Sequence, residues 1–138
     1  AQYVMIHDGA RPFIDDAIIE RCAQGVEKYK ACVAGMPVKD TIKIADEDLF
    51  AVQTPNRSNV WMVQTPQTFE RTMIWDAYKT IIAEEQSGKT ISVTDDAMVV
   101  EKMTDYKVKM ILGSYENIKI TTPEDLQIAQ LFCDKRQY

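Results

Sequence analysis

At 138 residues and 15.8 kDa, with 46% apolar and 27% charged residues, the sequence has the size and make-up of one compact domain or a piece of one, which excludes a mainly disordered chain. Sixteen Lys and Arg against twenty-one Asp and Glu leave a net charge of −5, which argues against wholesale binding to nucleic acid or to an anionic membrane. No apolar run approaches the roughly 20 residues that cross a bilayer and no cleavable leader is visible, so a cytoplasmic setting is expected.

Tyr3 to Ile6 reads as a short buried strand that starts abruptly, as in a sequence entered midway, and it ends in the polar loop His7-Asp8-Gly9-Ala10-Arg11-Pro12. A strand followed by such a loop is how α/β sheets present ligand groups. Asp15 or Asp16 can cap a helix carrying Ile18, Ile19, Cys22, Ala23 and Val26 at helical spacing, up to about Tyr29. Ala31 to Met36 is a second apolar run. After Pro37, the residues from Val38 to Ile44 alternate polar and apolar, and Leu49 to Thr54 follows an acidic break, so a hairpin is expected between about 38 and 54. An isolated hairpin is marginal in water, so this one calls for a packing partner such as a second subunit.

Val60 to Gln64 is strand-like, interrupted by Thr65-Pro66-Gln67, and a helix from about Glu70 to Glu85 presents Met73, Ile74, Ala77, Tyr78, Ile81 and Ile82 on one face. Thr94-Asp95-Asp96 opens a short helix through Met103, and its acids read as cap and first turn rather than as a metal pair. Lys107 to Leu112 and Asn117 to Ile120 read as extended. Thr122-Pro123-Glu124-Asp125 opens a last helix, buried through Leu126, Ala129 and Phe132. Strands interleaved with helices predict an α/β fold with a mostly parallel sheet.

Three cysteines, Cys22, Cys32 and Cys133, lie far apart and indicate neither a disulfide framework nor a zinc site. His7 is the lone histidine and reads as a hydrogen-bonded packing residue. Asp8, at a strand end, suits either Mg²⁺ or a ribose hydroxyl, or simply an Asx turn. Arg11, Arg57, Lys39, Lys43 and Lys119 fall in loops or at strand ends, beside the hydroxyls of Thr41, Thr65 and Thr121, which makes a phosphate ligand plausible. Neither GxGxxG nor GxxxxGK[ST] occurs.

The phrases His7-Asp8-Gly9-Ala10-Arg11-Pro12-Phe13, Pro37-Val38-Lys39-Asp40-Thr41-Ile42-Lys43, Val63-Gln64-Thr65-Pro66-Gln67, Thr94-Asp95-Asp96-Ala97 and Asn117-Ile118-Lys119-Ile120-Thr121-Thr122-Pro123-Glu124-Asp125-Leu126 occur in this order. Together they closely resemble the 2-C-methyl-D-erythritol 4-phosphate cytidylyltransferase family. The resemblance covers the family's C-terminal part; its N-terminal portion, with the loop that wraps the CTP triphosphate, has no counterpart here. It implies a Rossmann-like nucleotidyltransferase three-layer sandwich with a protruding β-hairpin arm, here at about 38–57, and a homodimer in which each arm reaches the other subunit's site.

By motif, the resemblance implies that Asp8 helps bind Mg²⁺ and the nucleotide, with Gly9 and Ala10 in the same substrate-binding loop and Arg11 near the methylerythritol phosphate. Lys119 would contact phosphate at the reacting centre. Thr41 and Arg57 would come from the neighbouring subunit to hold the substrate phosphate, with Thr65 beside it. The related ribitol-5-phosphate cytidylyltransferases share the HDxxRP and QTPQ phrases, but PVKDTIK, the Arg57-Ser58-Asn59-Val60-Trp61 stretch and TDDA fit the methylerythritol family better. A non-catalytic dimerising remnant is the alternative of a different class.

Overall fold

A computed structural model of the chain describes residues 1–137. Its elements in order are β1 (Tyr3–Ile6), α1 (Asp16–Tyr29), β2 (Ala31–Pro37), β3 (Ile44–Ala45), β4 (Ala51–Gln53), a 3₁₀ turn (Arg57–Asn59), β5 (Trp61–Glu70), α2 (Arg71–Gln86), α3 (Asp96–Met103), β6 (Lys109–Leu112) and α4 (Pro123–Arg136). Four strands form one sheet in the order β1-β5-β2-β6.

The sheet is mixed rather than mostly parallel. β5 runs antiparallel to both β1 and β2, and only β2 and β6 pair in parallel. The reason lies in the connections. β2 and β6 follow helices, whereas β5 returns directly from the excursion of residues 38–60 and therefore enters the sheet in the opposite direction. The expected break at Thr65-Pro66-Gln67 takes a different form. β5 continues through it with a cis Thr65–Pro66 bond, but its pairing with β2 slips there. Val33 pairs with Gln67 and Gly35 with Val63, so Ala34 faces three residues, Gln64, Thr65 and Pro66. Pro66 has no N–H to give to a ladder, and the strand bulges at that point.

Side-chain alternation sorts the core into two layers. On one face, Ala31 and Phe69 pack with Met73, Ile74, Ala77 and Ile81 of α2 and Val99 and Val100 of α3, joined by Val4 and Ile6. On the other, Cys32 and Ala34 meet Ile18, Cys22 and Val26 of α1, with Tyr3, Ile14 and Ile111 alongside. Helices thus cover both sheet faces, giving three layers. Gly25 lets α1 approach β6 closely: a Cβ there would lie 2.8 Å from Ile111 Cδ1. Cys22, Cys32 and Cys133 are free thiols.

Caps set the helix starts. Asp15, Asp95 and Thr122 accept the amides of Ile18, Met98 and Asp125, and Thr122 forms a full capping box with Asp125. Several apolar expectations fail on the outward faces. Ile19 and Ala23 of α1, Ile82 of α2 and Leu126 of α4 are exposed, and α4 is anchored instead by Ala129 and by Phe132, which meets Phe13 edge-on at 5.4 Å. Residues 38–43 and 117–120 are loops, not strands, and β6 begins two residues later than expected. The 38–54 hairpin reduces to β3 and β4, two and three residues long. Among the described residues no helix is long and apolar enough to cross a membrane.

Candidate active site

A cleft of about 520 Å³ opens where β1 ends beside the bulge of β5. Ile6, His7, Asp8 and Arg11 line one side, Val63, Gln64, Thr65 and Gln67 another, with Thr94, Asp95 and Asp96 at the start of α3, and Lys119 from the loop before α4. Residues far apart in sequence meet here because β1 and β5 are neighbours and the loop of residues 113–122 folds back onto both.

Asp8 is the charged centre. Its Oδ2 lies 2.9 Å from Lys119 Nζ, and its Oδ1 accepts the Ala10 N–H at 3.3 Å. The second bond is the Asx turn that the sequence left open as one reading, so the side chain both shapes its loop and faces a cation. Lys119, and then the Ala10 amide, hold the Asp8 carboxyl below the usual carboxylate range, so it is ionised near neutrality. Both side chains remain substantially solvated, so the pair is weak enough to exchange partners when a stronger ion enters.

A buried polar network, not foreseen in the sequence, fixes the Lys119 loop. Asn117 is fully buried; its Nδ2 donates to the Thr65 carbonyl at 2.9 Å and to Gln64 Oε1 at 3.1 Å. Gln64 Nε2 donates to the Ser114 carbonyl at 2.7 Å. Arg11 Nη1 donates to the Asn117 carbonyl at 2.7 Å, so the Arg11 guanidinium braces this loop while flanking the cleft. Burial lowers the Arg11 pKa, offset in part by Asp8. Gln67, also buried, donates to Asp95 Oδ2 at 3.1 Å and accepts the Ala97 N–H at 2.9 Å, locking α3 against β5. Tyr78 donates to Asp96, and burial followed by that carboxylate pushes the phenol pKa up. Asp95 and Asp96 are thus occupied by capping and packing, as their position in the sequence suggests.

The candidates divide accordingly. Asp8, Arg11, Thr65 and Lys119 share the cleft, and Gly9 and Ala10 lie in the loop that frames it. Thr41 and Arg57 do not line it. Arg57 instead donates to the Lys39 carbonyl at 2.8 Å and clips the root of the 38–60 excursion. Lys39 sits 3.9 Å over the Tyr115 ring, Lys43 bonds Thr54, and the Thr121 hydroxyl donates to Asp125. Of the five loop cations, two converge on the cleft within one chain. The sequence did hold a signal for Gln64, Gln67 and Asn117: each lies inside a motif phrase, yet polar residues read by default as surface.

The site contains a carboxylate suited to a hard cation, but among the described residues no group of three or more His, Cys, Asp or Glu could enclose one. A hard divalent cation of the Mg²⁺ kind is held through one or two carboxylates and otherwise by phosphate oxygens and water, and the ionised Asp8 carboxylate facing the cleft is a donor of that chemistry. Asp8 is the residue available for it.

The mixed sheet between helices, with this cleft at the strand end, places the chain in the Rossmann-like nucleotidyltransferase fold class. A solved structure titled 4-diphosphocytidyl-2C-methyl-D-erythritol synthase, from Anaerococcus prevotii, superposes with a TM-score of 0.88 at 37% identity, over 97% of this chain and 59% of that one. The 2-C-methyl-D-erythritol 4-phosphate cytidylyltransferase of Thermus thermophilus gives 0.80 at 28% identity, over 97% and 63%. The model of the 2-C-methyl-D-erythritol 4-phosphate cytidylyltransferase family matches residues 1–135, and the chain belongs to that family. The curated enzymes of that name from Lachnospira eligens and Alkaliphilus oremlandii are each 50% identical, over 94% and 97% of this chain but 56% and 54% of their own length. The chain therefore spans a little over half of the relatives it matches.

Proposed function

We propose that the protein to which this chain belongs transfers a cytidylyl group from CTP to 2-C-methyl-D-erythritol 4-phosphate, releasing pyrophosphate. The observation that carries the reading is the Asp8–Lys119 pair at 2.9 Å in a cleft that also holds Arg11 and Thr65. The substrate's phosphate oxygen, already ionised at neutral pH, attacks the α-phosphorus of CTP and pyrophosphate departs. No general base is needed. What the transition state requires is alignment of two anions and neutralisation of their charge.

In this reading the weakly held Lys119 turns from Asp8 to the phosphate, and Asp8 is freed to hold Mg²⁺, which when bound would neutralise phosphoryl charge. Asn117 and Arg11 keep the Lys119 loop in place. Thr41 and Arg57 serve the neighbouring subunit's cleft. That assignment is supported by the arm's surface, where Leu49 is 85% and Phe50 71% exposed on a hairpin too short to persist alone. Gly9 and Ala10 contribute backbone to the nucleotide side of the loop.

Pyrophosphate release from CTP by the full-length protein, with methylerythritol phosphate and ribitol phosphate as parallel substrates, tests the proposal. Release with the former and not the latter is expected; the reverse preference would sink it. Lys119→Ala should lower kcat by roughly 10²–10³, as for loss of a transition-state charge donor, with the fold intact. Leu49→Asp with Phe50→Asp should convert a sedimenting dimer to monomer, and an unchanged sedimentation coefficient would remove the arm from the interface.

A further inference from the structure

His7 links the two segments that frame the cleft. Its Nδ1 lies 3.0 Å from Thr65 Oγ1 and its Nε2 2.9 Å from the Arg11 carbonyl oxygen, while Thr65 Oγ1 also receives the Asp8 N–H at 3.0 Å. The two ends of this chain of bonds fix its middle, because a backbone N–H only donates and a carbonyl only accepts. Nε2 must carry the proton given to Arg11. In the neutral ring, Nδ1 is then an acceptor, and the Thr65 hydroxyl proton points at it. One lone pair on the Thr65 oxygen is taken by the Asp8 amide. What Thr65 offers to the cleft it lines is its second lone pair.

We propose that His7 is a positioning residue that draws the Thr65 hydroxyl proton inward, so that this subsite accepts a hydrogen bond from a hydroxyl of the polyol and does not bind a phosphoryl oxygen. The inference rests on the functional reading above and refines it. The phosphoryl oxygens of a monoester dianion bring only lone pairs, and opposite an acceptor they would be repelled; a secondary alcohol brings a proton. The phosphate is then left to Lys119 and the cationic side chains of the arm, and Thr65 measures what is attached to it. Methyl phosphate, which has no hydroxyl, and a polyol phosphate differ at this contact.

His7 is the one histidine among these 138 residues, and a His7→Gln variant, whose spectrum lacks the His7 signals, assigns them in the longer protein. In the full-length protein at mildly alkaline pH, ¹⁵N spectra should show the neutral tautomer protonated at Nε2; protonation at Nδ1 would overturn the proposal whatever the enzyme does. Calorimetric affinities supply the second arm. Thr65→Val should weaken methylerythritol phosphate roughly tenfold, the worth of one lost hydrogen bond at a buried partner, and leave methyl phosphate, whose dianion has no hydroxyl to donate, unchanged. Thr65→Ser should restore the difference. Equal losses for the two ligands would mean that Thr65 contacts phosphate and that the assignment is wrong. Should the parent protein fail to bind methylerythritol phosphate at all, the functional reading falls, and the imidazole signature still decides whether His7 orients Thr65.

Discussion

Replacing Asn117 with alanine is the sharpest test of how the site is held. The side chain is fully buried and donates two bonds, at 2.9 Å to the Thr65 carbonyl and 3.1 Å to Gln64 Oε1, while its own Oδ1 has no partner among the described residues. Alanine removes both donors. The Thr65 carbonyl loses its side-chain donor, and Gln64 Oε1 retains only the Ser114 N–H at a long 3.4 Å. An unsatisfied buried acceptor costs about 1–3 kcal/mol. Two such losses, lessened by removal of the orphaned Oδ1, come to about 3 kcal/mol. For a domain of this size that corresponds to a fall in Tm of roughly 10 °C. Urea unfolding of the parent and variant, followed by far-UV circular dichroism with an unchanged m-value, reads the difference directly. A loss below about 0.5 kcal/mol, the scale of an ordinary surface substitution, would refute the claim that this network holds the Lys119 loop.

Other perturbations probe separate parts of the structure. Gly35→Ala places a Cβ 2.7 Å from the Met62 carbonyl oxygen, a backbone atom that cannot swing away, so β2 and β5 must separate at the bulge; thermal melts should show a loss of about 1–3 kcal/mol, and a neutral result would mean that the bulge yields freely. Thr122→Ala removes the acceptor of the α4 capping box and should cost about 1 kcal/mol, with hydrogen exchange quickening in the first turn of α4 and not in α1. Asp8 binds its proton less readily when folded than when unfolded, so its contribution to stability is complete above the usual carboxylate pKa and disappears as pH falls through the lowered folded value. Asp8→Asn should accordingly flatten part of the acid limb of the pH–stability curve, and an unchanged limb would show that Lys119 does not shift it.

Local order was legible where a local cause dictates it. The caps at Asp15, Asp95 and Thr122, the loop after β1, and the apolar stripe of Met73, Ile74, Ala77 and Ile81 all follow from spacing and from the hydrogen bonds that helix ends lack. The direction of β5 was not legible, because it depends on where the chain re-enters the sheet after a long excursion and not on any residue in β5. The exposure of Ile82 and Leu126 has a similar origin. Apolar side chains at helical spacing mark a face without saying whether the fold covers it. Gln64, Gln67 and Asn117 escaped because a buried amide is recognisable only once its partners, dozens of residues away, are in place.

The bonds that assemble the cleft join distant parts of the chain: Asp8 to Thr65 across 57 residues, Arg11 to Asn117 across 106. Loop closure on that scale costs entropy before any contact repays it, and chains dominated by such contacts fold slowly. The cleft therefore has no partially formed precursor on any single hairpin or helix pair, and it comes into being only as the whole sheet closes. A ligand seated across Asp8, Thr65 and Lys119 spans the first strand, the central strand and the last loop together, so its binding free energy adds to the global stability of the fold. Resistance of the native chain to a protease should then rise with ligand concentration along its whole length, and not only around the cleft.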